Sequence, residues 1–180
     1  MALLQSLSRN VEINSTAINS LVNALGPFKR NAIKLLEMQG IDDLAPGKWY
    51  PQQSFLDAFI HIPRKVGDRT VEKVGANLAA SLRFPSDIDT LEKALGYINV
   101  AYQGYYKNGD SGNYKFRKTG ERECSMFCSS PYPCAFDRGA LSEICNRFKP
   151  ADSNLVVIEH SKATGCRQIG NFACTYIIRW

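Results

Sequence analysis

The chain has 180 residues, 44% of them hydrophobic and 22% charged, and carries a formal net charge of +5. That length suits one compact domain burying roughly 70% of its unfolded surface, and the composition excludes a disordered chain. The lysines and arginines are dispersed, which argues against a nucleic-acid partner. No apolar run reaches the roughly 20 residues of a membrane span. Met1-Ala-Leu-Leu-Gln-Ser-Leu-Ser8 lacks the basic start and long apolar core of an export signal, so the expected compartment is the cytoplasm.

In chain order, an opening segment Val11-Glu-Ile13 leads into Asn14-Ser15-Thr16, side chains suited to capping a helix. Ile18, Leu21, Val22 and Leu25 then recur at helical spacing until Gly26-Pro27 breaks the pattern. A second helix is predicted from about Phe28 to Gln39, ending at Gly40. Pro46 to Pro51 reads as a loop or short extended piece holding Trp49 and Tyr50. A third helix carries Phe55, Leu56, Phe59 and Ile60 before Pro63, and Val71, Val74, Leu78 and Leu82 form another stripe beyond Gly67. Leu91, Leu95, Ile98, Tyr102 and Tyr105 mark the cleanest helix, started by Ser86-Asp87 or Asp89.

The period then changes. Asn108 to Gly112 is turn chemistry, and Tyr114, Phe116 and Lys118 alternate with polar neighbours as in a half-buried strand. Basic residues interleave with aromatics here, from Tyr105 to Lys118, but Glu121 and Glu123 follow at once and favour a solvated hairpin over a single-strand binding surface. A strand from about Arg122 to Ser129, a helix with the face Phe136, Ala140, Leu141, Ile144 and Phe148, and strands at Leu155–Glu159 and Cys174–Trp180 complete the chain. Helices segregated from a mostly antiparallel sheet predict an α+β fold: N-terminal helices packed on a C-terminal four-stranded sheet with one inserted helix. No linker or repeat divides the sequence, so residues 1–180 are expected to form a single ligand-binding domain.

All six cysteines lie beyond residue 123. In a reducing compartment they are metal ligands, redox groups or small buried hydrophobes; in an exported protein they would be disulfides. Cys145 follows Ile144 on an apolar helix face and reads as core, as does Cys124. His61, between Ile60 and Ile62, reads as a hydrogen-bonded core residue. Asp137 and Arg138, at a helix start, are candidates to polarise a ligand; the favoured expectation is that Asp137 faces the free amides of its helix's first turn and Arg138 solvent or an acid. There is no Gly-x-Ser-x-Gly motif, and Gly109-Asp-Ser-Gly112 lacks the lysine and helix of a phosphate-cradling loop, so binding is favoured over catalysis. Trp49, Phe59, Tyr102 and Tyr105 suit the wall of an apolar pocket, and equally an ordinary helical core.

Cys134-Ala-Phe136 with Gly139, the strand Val156-Val-Ile-Glu159, and Cys166-Arg167, Gly170 and Cys174 leading into Tyr176-Ile-Ile resemble the vinyl-4-reductase-like domain. That domain is a small-molecule-binding module of the superfamily that includes Golgi transport-particle subunits and haem nitric-oxide sensors. The best-matched segment is 134–180. The resemblance implies helices and a four-stranded antiparallel sheet enclosing an apolar pocket, and a zinc held by Cys134, Glu159, Cys166 and Cys174. Six residues separate Glu159 from Cys166 where the family has a much shorter gap, so His160 or Cys128 is a substitute ligand. It further implies a cytoplasmic sensor of a hydrophobic or aromatic small molecule that signals to a partner protein, commonly as a homodimer. A haem- or tetrapyrrole-binding protein, or an accessory of tetrapyrrole biosynthesis, is the alternative; His61 is then the axial-ligand candidate, although the sensors' Tyr-x-Ser-x-Arg signature is absent. A pure protein-interaction module of the transport-particle type is the third reading.

Overall fold

The computed structural model describes residues 4–161 and 163–180, with the backbone alone for 62–66. A short strand β1 (Glu12–Asn14) runs directly into helix α1 (Ser15–Ala24), where Asn14 Oδ1 accepts the Ala17 amide at 2.8 Å. This satisfies one of the amides that a helix start leaves unpaired. Gly26 and Pro27 fold into a single 3₁₀ turn, and α2 (Lys29–Glu37) follows.

Strand β2 (Trp49–Pro51) and helix α3 (Gln52–Phe59) precede α4 (His61–Ser81). The expected stripe Phe55, Leu56 and Phe59 lies on α3, and Val71, Val74 and Leu78 lie on α4, which is bent at Gly67 (φ 72°, ψ 167°), a left-handed backbone that glycine tolerates. Helix α5 (Leu91–Gln103) is capped by Thr90, one residue beyond Asp89 and three beyond Asp87. Thr90 Oγ1 accepts the Lys93 amide at 3.3 Å, while Asp89 pairs with the Lys93 ammonium at 2.7 Å. Strand β3 (Tyr106–Lys107) then pairs with β1, giving a small antiparallel sheet β2-β1-β3 in which Ile13 faces both Tyr50 and Tyr106. Periodicity predicts no such sheet, because strands of two and three residues are too short for alternation to register.

The C-terminal half consists of β4 (Tyr114–Gly120), β5 (Glu123–Cys128), α6 (Cys134–Arg147), β6 (Val157–His160) and β7 (Cys174–Arg179). The strands order β4-β5-β7-β6, all antiparallel, so the predicted α+β fold with a four-stranded sheet and an inserted helix is the fold observed. Successive strand residues point to opposite faces. Tyr114, Cys124, Met126, Cys128, Cys174, Tyr176 and Ile178 are buried on the inner face, whereas Lys115, Arg117, Glu159 and Arg179 lie exposed on the other.

Buried residues form two clusters. One joins α1, α2 and α3 to Tyr132, Ala135 and Phe136; the other joins α5 and the sheet to Leu141 and Ile144. Helix α6 therefore contributes to both. It lies directly against α4, where Gly75 and Gly139 leave no room for a side chain: a Cβ on Gly139 would sit 1.8 Å from the Glu72 carbonyl oxygen.

Candidate functional site

Two features meet around the N-terminal half of α6. The first is a group of metal-ligating side chains. Cys134 opens α6, His160 ends β6, Cys166 lies in the β6–β7 connection and Cys174 begins β7. Their ligand atoms all lie within 4.8 Å of one another. Cys134 Sγ is 3.1 Å from Cys174 Sγ and 3.4 Å from Cys166 Sγ, and all six cysteines are free thiols.

Local backbone geometry explains the convergence. A 3₁₀ turn at Arg167–Ile169 ends at Gly170 (φ 90°), so the chain doubles back within eight residues. The Gln168 amide donates to Cys166 Sγ and the Arg167 amide to Cys174 Sγ, each at 3.4 Å. The Arg167 amide favours thiolate over thiol at Cys174. The Cys174 thiol is held down at about 3, first by the Cys134 S–H, and also by the Arg167 amide and His160; the same contact, with burial, pushes Cys134 up. One thiolate shared by a second thiol is the arrangement expected where a cation would take the place of the protons.

Three of the four ligands that the resemblance implied are thus brought together, and Glu159 is not. Strand alternation decides this: His160 pairs opposite Tyr176 on the inner face, its ring 5.0 Å from the tyrosine ring, while Glu159 faces solvent and binds Arg179 at 2.6 Å. His160 Nε2 is buried with no hydrogen-bond partner. Of the two substitutes, His160 joins the group; Cys128 pairs opposite Cys174 on β5, and its thiol points to the Met126 carbonyl at 3.9 Å. An orphaned imidazole nitrogen beside three thiols is a donor set that fits zinc. A cleft bordered by Asp68, Arg138 and Gln168 reaches the group from solvent.

The second feature is a cavity of about 80 Å³ between the two buried clusters. Leu21 of α1, Leu78 of α4, Ile98 of α5 and Leu141 of α6 line it, along with Tyr102, Tyr105, Tyr106, Tyr114 and Tyr132. Its polar atoms are largely tied up within the protein. Tyr102 donates to the Ser111 carbonyl at 2.5 Å, the Tyr106 and Tyr132 hydroxyls share a 2.5 Å bond, and Tyr114 donates to Asp137 at 2.7 Å. Burial raises all four phenols well above their ordinary value, so they stay neutral.

Tyr102 and Tyr105 thus line the cavity as the sequence suggested. Trp49 does not: it lies on β2 beneath the Lys107 ammonium, 4.3 Å from the ring centroid. Phe59 packs in the neighbouring core against Phe55 and Tyr132. His61 is exposed at the first position of α4, not a core residue, and is outside the cavity lining.

Sequence reasoning missed the buried pairing of Asp137 with Arg167. Asp137 does not serve the first-turn amides of α6; it is fully buried, lines the cavity and forms an ion pair with Arg167, which is 1% exposed. An aspartate and an arginine thirty residues apart carry no pairing signal in sequence. Arg138, as expected, meets an acid, gripping Glu72 through two bonds of 3.1 and 2.6 Å.

No family model and no curated protein matches the chain. Solved structures do. The chain is similar to a single-site mutant of the T. tengcongensis H-NOX (14% identity, TM-score 0.69), with 93% of this chain and 97% of that one covered. An H-NOX protein from S. oneidensis in the Fe(II)NO ligation state matches at 14% identity and TM-score 0.65 over 93% and 98% of the two chains. An oxygen-binding H-NOX domain related to soluble guanylate cyclases matches at 12% identity and TM-score 0.64 over 93% and 94%. At these identities the likeness establishes a shared fold. No helix among the described residues is long and apolar enough to cross a membrane.

Proposed function

We propose that residues 1–180 form one small-molecule sensor domain, whose apolar cavity takes a neutral hydrophobic ligand and whose Cys134, His160, Cys166 and Cys174 bind zinc as a structural clip. The fold shared with the H-NOX sensors supports a ligand-binding role. The observation that carries the ligand class is the internal pairing of the cavity's polar atoms: a charged ligand would lose its water and find few free partners, while an apolar one gains by burial alone. Signalling then proceeds by ligand-stabilised closure that alters contact with a partner protein, or with a second copy of the chain.

The second reading, haem or another tetrapyrrole, is favoured by the structural neighbours, one of which is described by its porphyrin distortion. The residues at the cavity do not fit histidine-ligated haem. Neither histidine lines it, and four of the five tyrosine hydroxyls are engaged elsewhere.

Elemental analysis and a visible spectrum of the freshly purified chain, with calorimetric titration of toluene, separate the two. About one zinc per chain, no visible band and toluene binding that is lost in Ala140→Phe are expected. Iron with a Soret band would establish the tetrapyrrole reading instead. Absence of metal, colour and toluene binding would reject both.

A further inference from the structure

One fully buried ion pair lies between the thiol–imidazole group and the cavity. Arg167 follows Cys166 in the turn, and its amide bonds Cys174 Sγ. Its guanidinium donates to the Ser130 carbonyl, to Ser130 Oγ at 2.9 Å and to Asp137 Oδ2, leaving Nε without a partner. Asp137 Oδ1 accepts from Tyr114, whose ring packs 5.0 Å from that of Tyr102 on the cavity wall. Asp137 sits three residues after Cys134 on α6, hence on the same helix face.

On these contacts we infer that the Arg167–Asp137 pair couples the metal group to the cavity, so that occupancy of either sets the affinity of the other. The inference rests on the proposed zinc and ligand sites. A divalent cation on three thiolates and a neutral imidazole leaves one net negative charge. Arg167 stands between Asp137 and the Cys174 thiolate in both states, and the cation draws the thiolate's charge onto itself and away from the guanidinium. Its hold on Asp137 is redistributed, and with it the Tyr114 hydroxyl that borders the ligand.

A second effect has the same sign. Zinc ties the Cys166–Cys174 turn to Cys134 and so holds Arg167, while a ligand against Tyr114 holds Asp137, so the event that comes second finds the pair already held. Coupling is therefore positive, and by linkage it is equal in both directions. Surface ion pairs such as Arg138–Glu72 have no such reach, since water screens them and neither partner touches the cavity.

The test measures both halves of the linkage on the full chain. Zinc affinity is read by competition with a chelating dye, with and without saturating toluene, and toluene affinity by calorimetry, with and without zinc. Each is expected to tighten the other by about fivefold or more, by the same factor both ways. Asp137→Asn leaves the guanidinium buried and unpaired and is at risk of misfolding, so the decisive variant is Asp137→Leu/Arg167→Met. It removes both charges, while Tyr114 and Ser130 keep each other as partners at 3.2 Å. Asp137 lines the cavity, so the variant's own toluene affinity is expected to change; the coupling, a ratio taken within the variant, is expected to fall to less than about twofold. Independent binding in the wild type, or full coupling in the double variant, would overturn the inference and leave the two sites standing. A wild type that binds neither zinc nor toluene would remove the sites and the inference together.

Discussion

Cys166→Ser isolates the contribution of the metal to stability. Cys134 and Cys174 are 8% and 0% exposed, so removing either also damages core packing; Cys166 is only half-buried, and its loss opens no cavity. In metal-free solution the variant should therefore lie within about 0.5 kcal/mol of the wild type, as for most substitutions away from packed positions. With zinc the difference appears. At free zinc about 100 times the dissociation constant, a ligand that binds only the native state stabilises it by about 2.7 kcal/mol. For a domain of this size that amounts to roughly 5–11 °C in melting temperature. The clip is well placed to deliver it, because it ties Cys134 to residues 32 and 40 positions away in sequence. Urea unfolding of both proteins, each in buffered zinc and in EDTA, gives the four midpoints required. The reasoning fails if the wild-type midpoint is the same in zinc and EDTA, or if Cys166→Ser keeps the full zinc-dependent shift.

Two further outcomes follow from packing and burial. Gly139→Ala would force a methyl group to within 1.8 Å of a backbone oxygen on α4 that cannot swing aside, so urea midpoints should show a loss at or above the upper end of the usual ~1–3 kcal/mol overpacking cost; a loss below about 0.5 kcal/mol would mean that the helices do not cross this closely. Burial pushes the Cys124 and Cys145 thiols up to about 12, whereas an unfolded cysteine ionises near 8.5, so above that pH the unfolded state releases protons that the native state retains. Their contribution is fully present below pH ~8.5 and is lost towards pH ~12, at about 1.4 kcal/mol per pH unit for each thiol; melting curves of the wild type and Cys124→Ala/Cys145→Ala should diverge in slope across pH 8.5–10, and parallel curves would refute the burial argument.

How far the sequence could reveal this site depended on the kind of signal each residue left. The long elements were legible because their periods are long: α5 with Leu91, Leu95 and Ile98, and β5 with Cys124, Met126 and Cys128 buried in strict alternation. Alternation also held the answer to the fourth ligand. Once Cys174, Tyr176 and Ile178 face inward, register places Ile158 and His160 on the same side and turns Glu159 out. That register is a tertiary fact, and a gap of six residues before Cys166 does not reveal it. Asp137 and Arg167 were hidden for a different reason. Charged side chains are almost never fully buried unless paired, so a local reading assigns each to solvent or to a helix end. Only the meeting of α6 with the Cys166–Cys174 turn makes their burial tolerable.

The same meeting bears on why a fold shared with haem sensors can work without an imidazole in its cavity. In a histidine-anchored haem site, the metal and the ligand pocket are one place. Here the candidate metal donors sit outside the cavity, at the first turn of α6, and the cavity lies along the turns that follow, at Ala140, Leu141 and Ile144. A helix rises 1.5 Å per residue, so Cys134 and Asp137 are separated by about one turn along a single rigid element. The close crossing at Gly75 and Gly139 fixes α6 against α4 just beyond them. A change in how Cys134 is held is thus confined to the N-terminal turns of α6, the turns that carry Asp137. On the proposed reading, separating the metal from the pocket in this way gives up direct metal–ligand chemistry and leaves an apolar cavity to select a ligand by shape and burial.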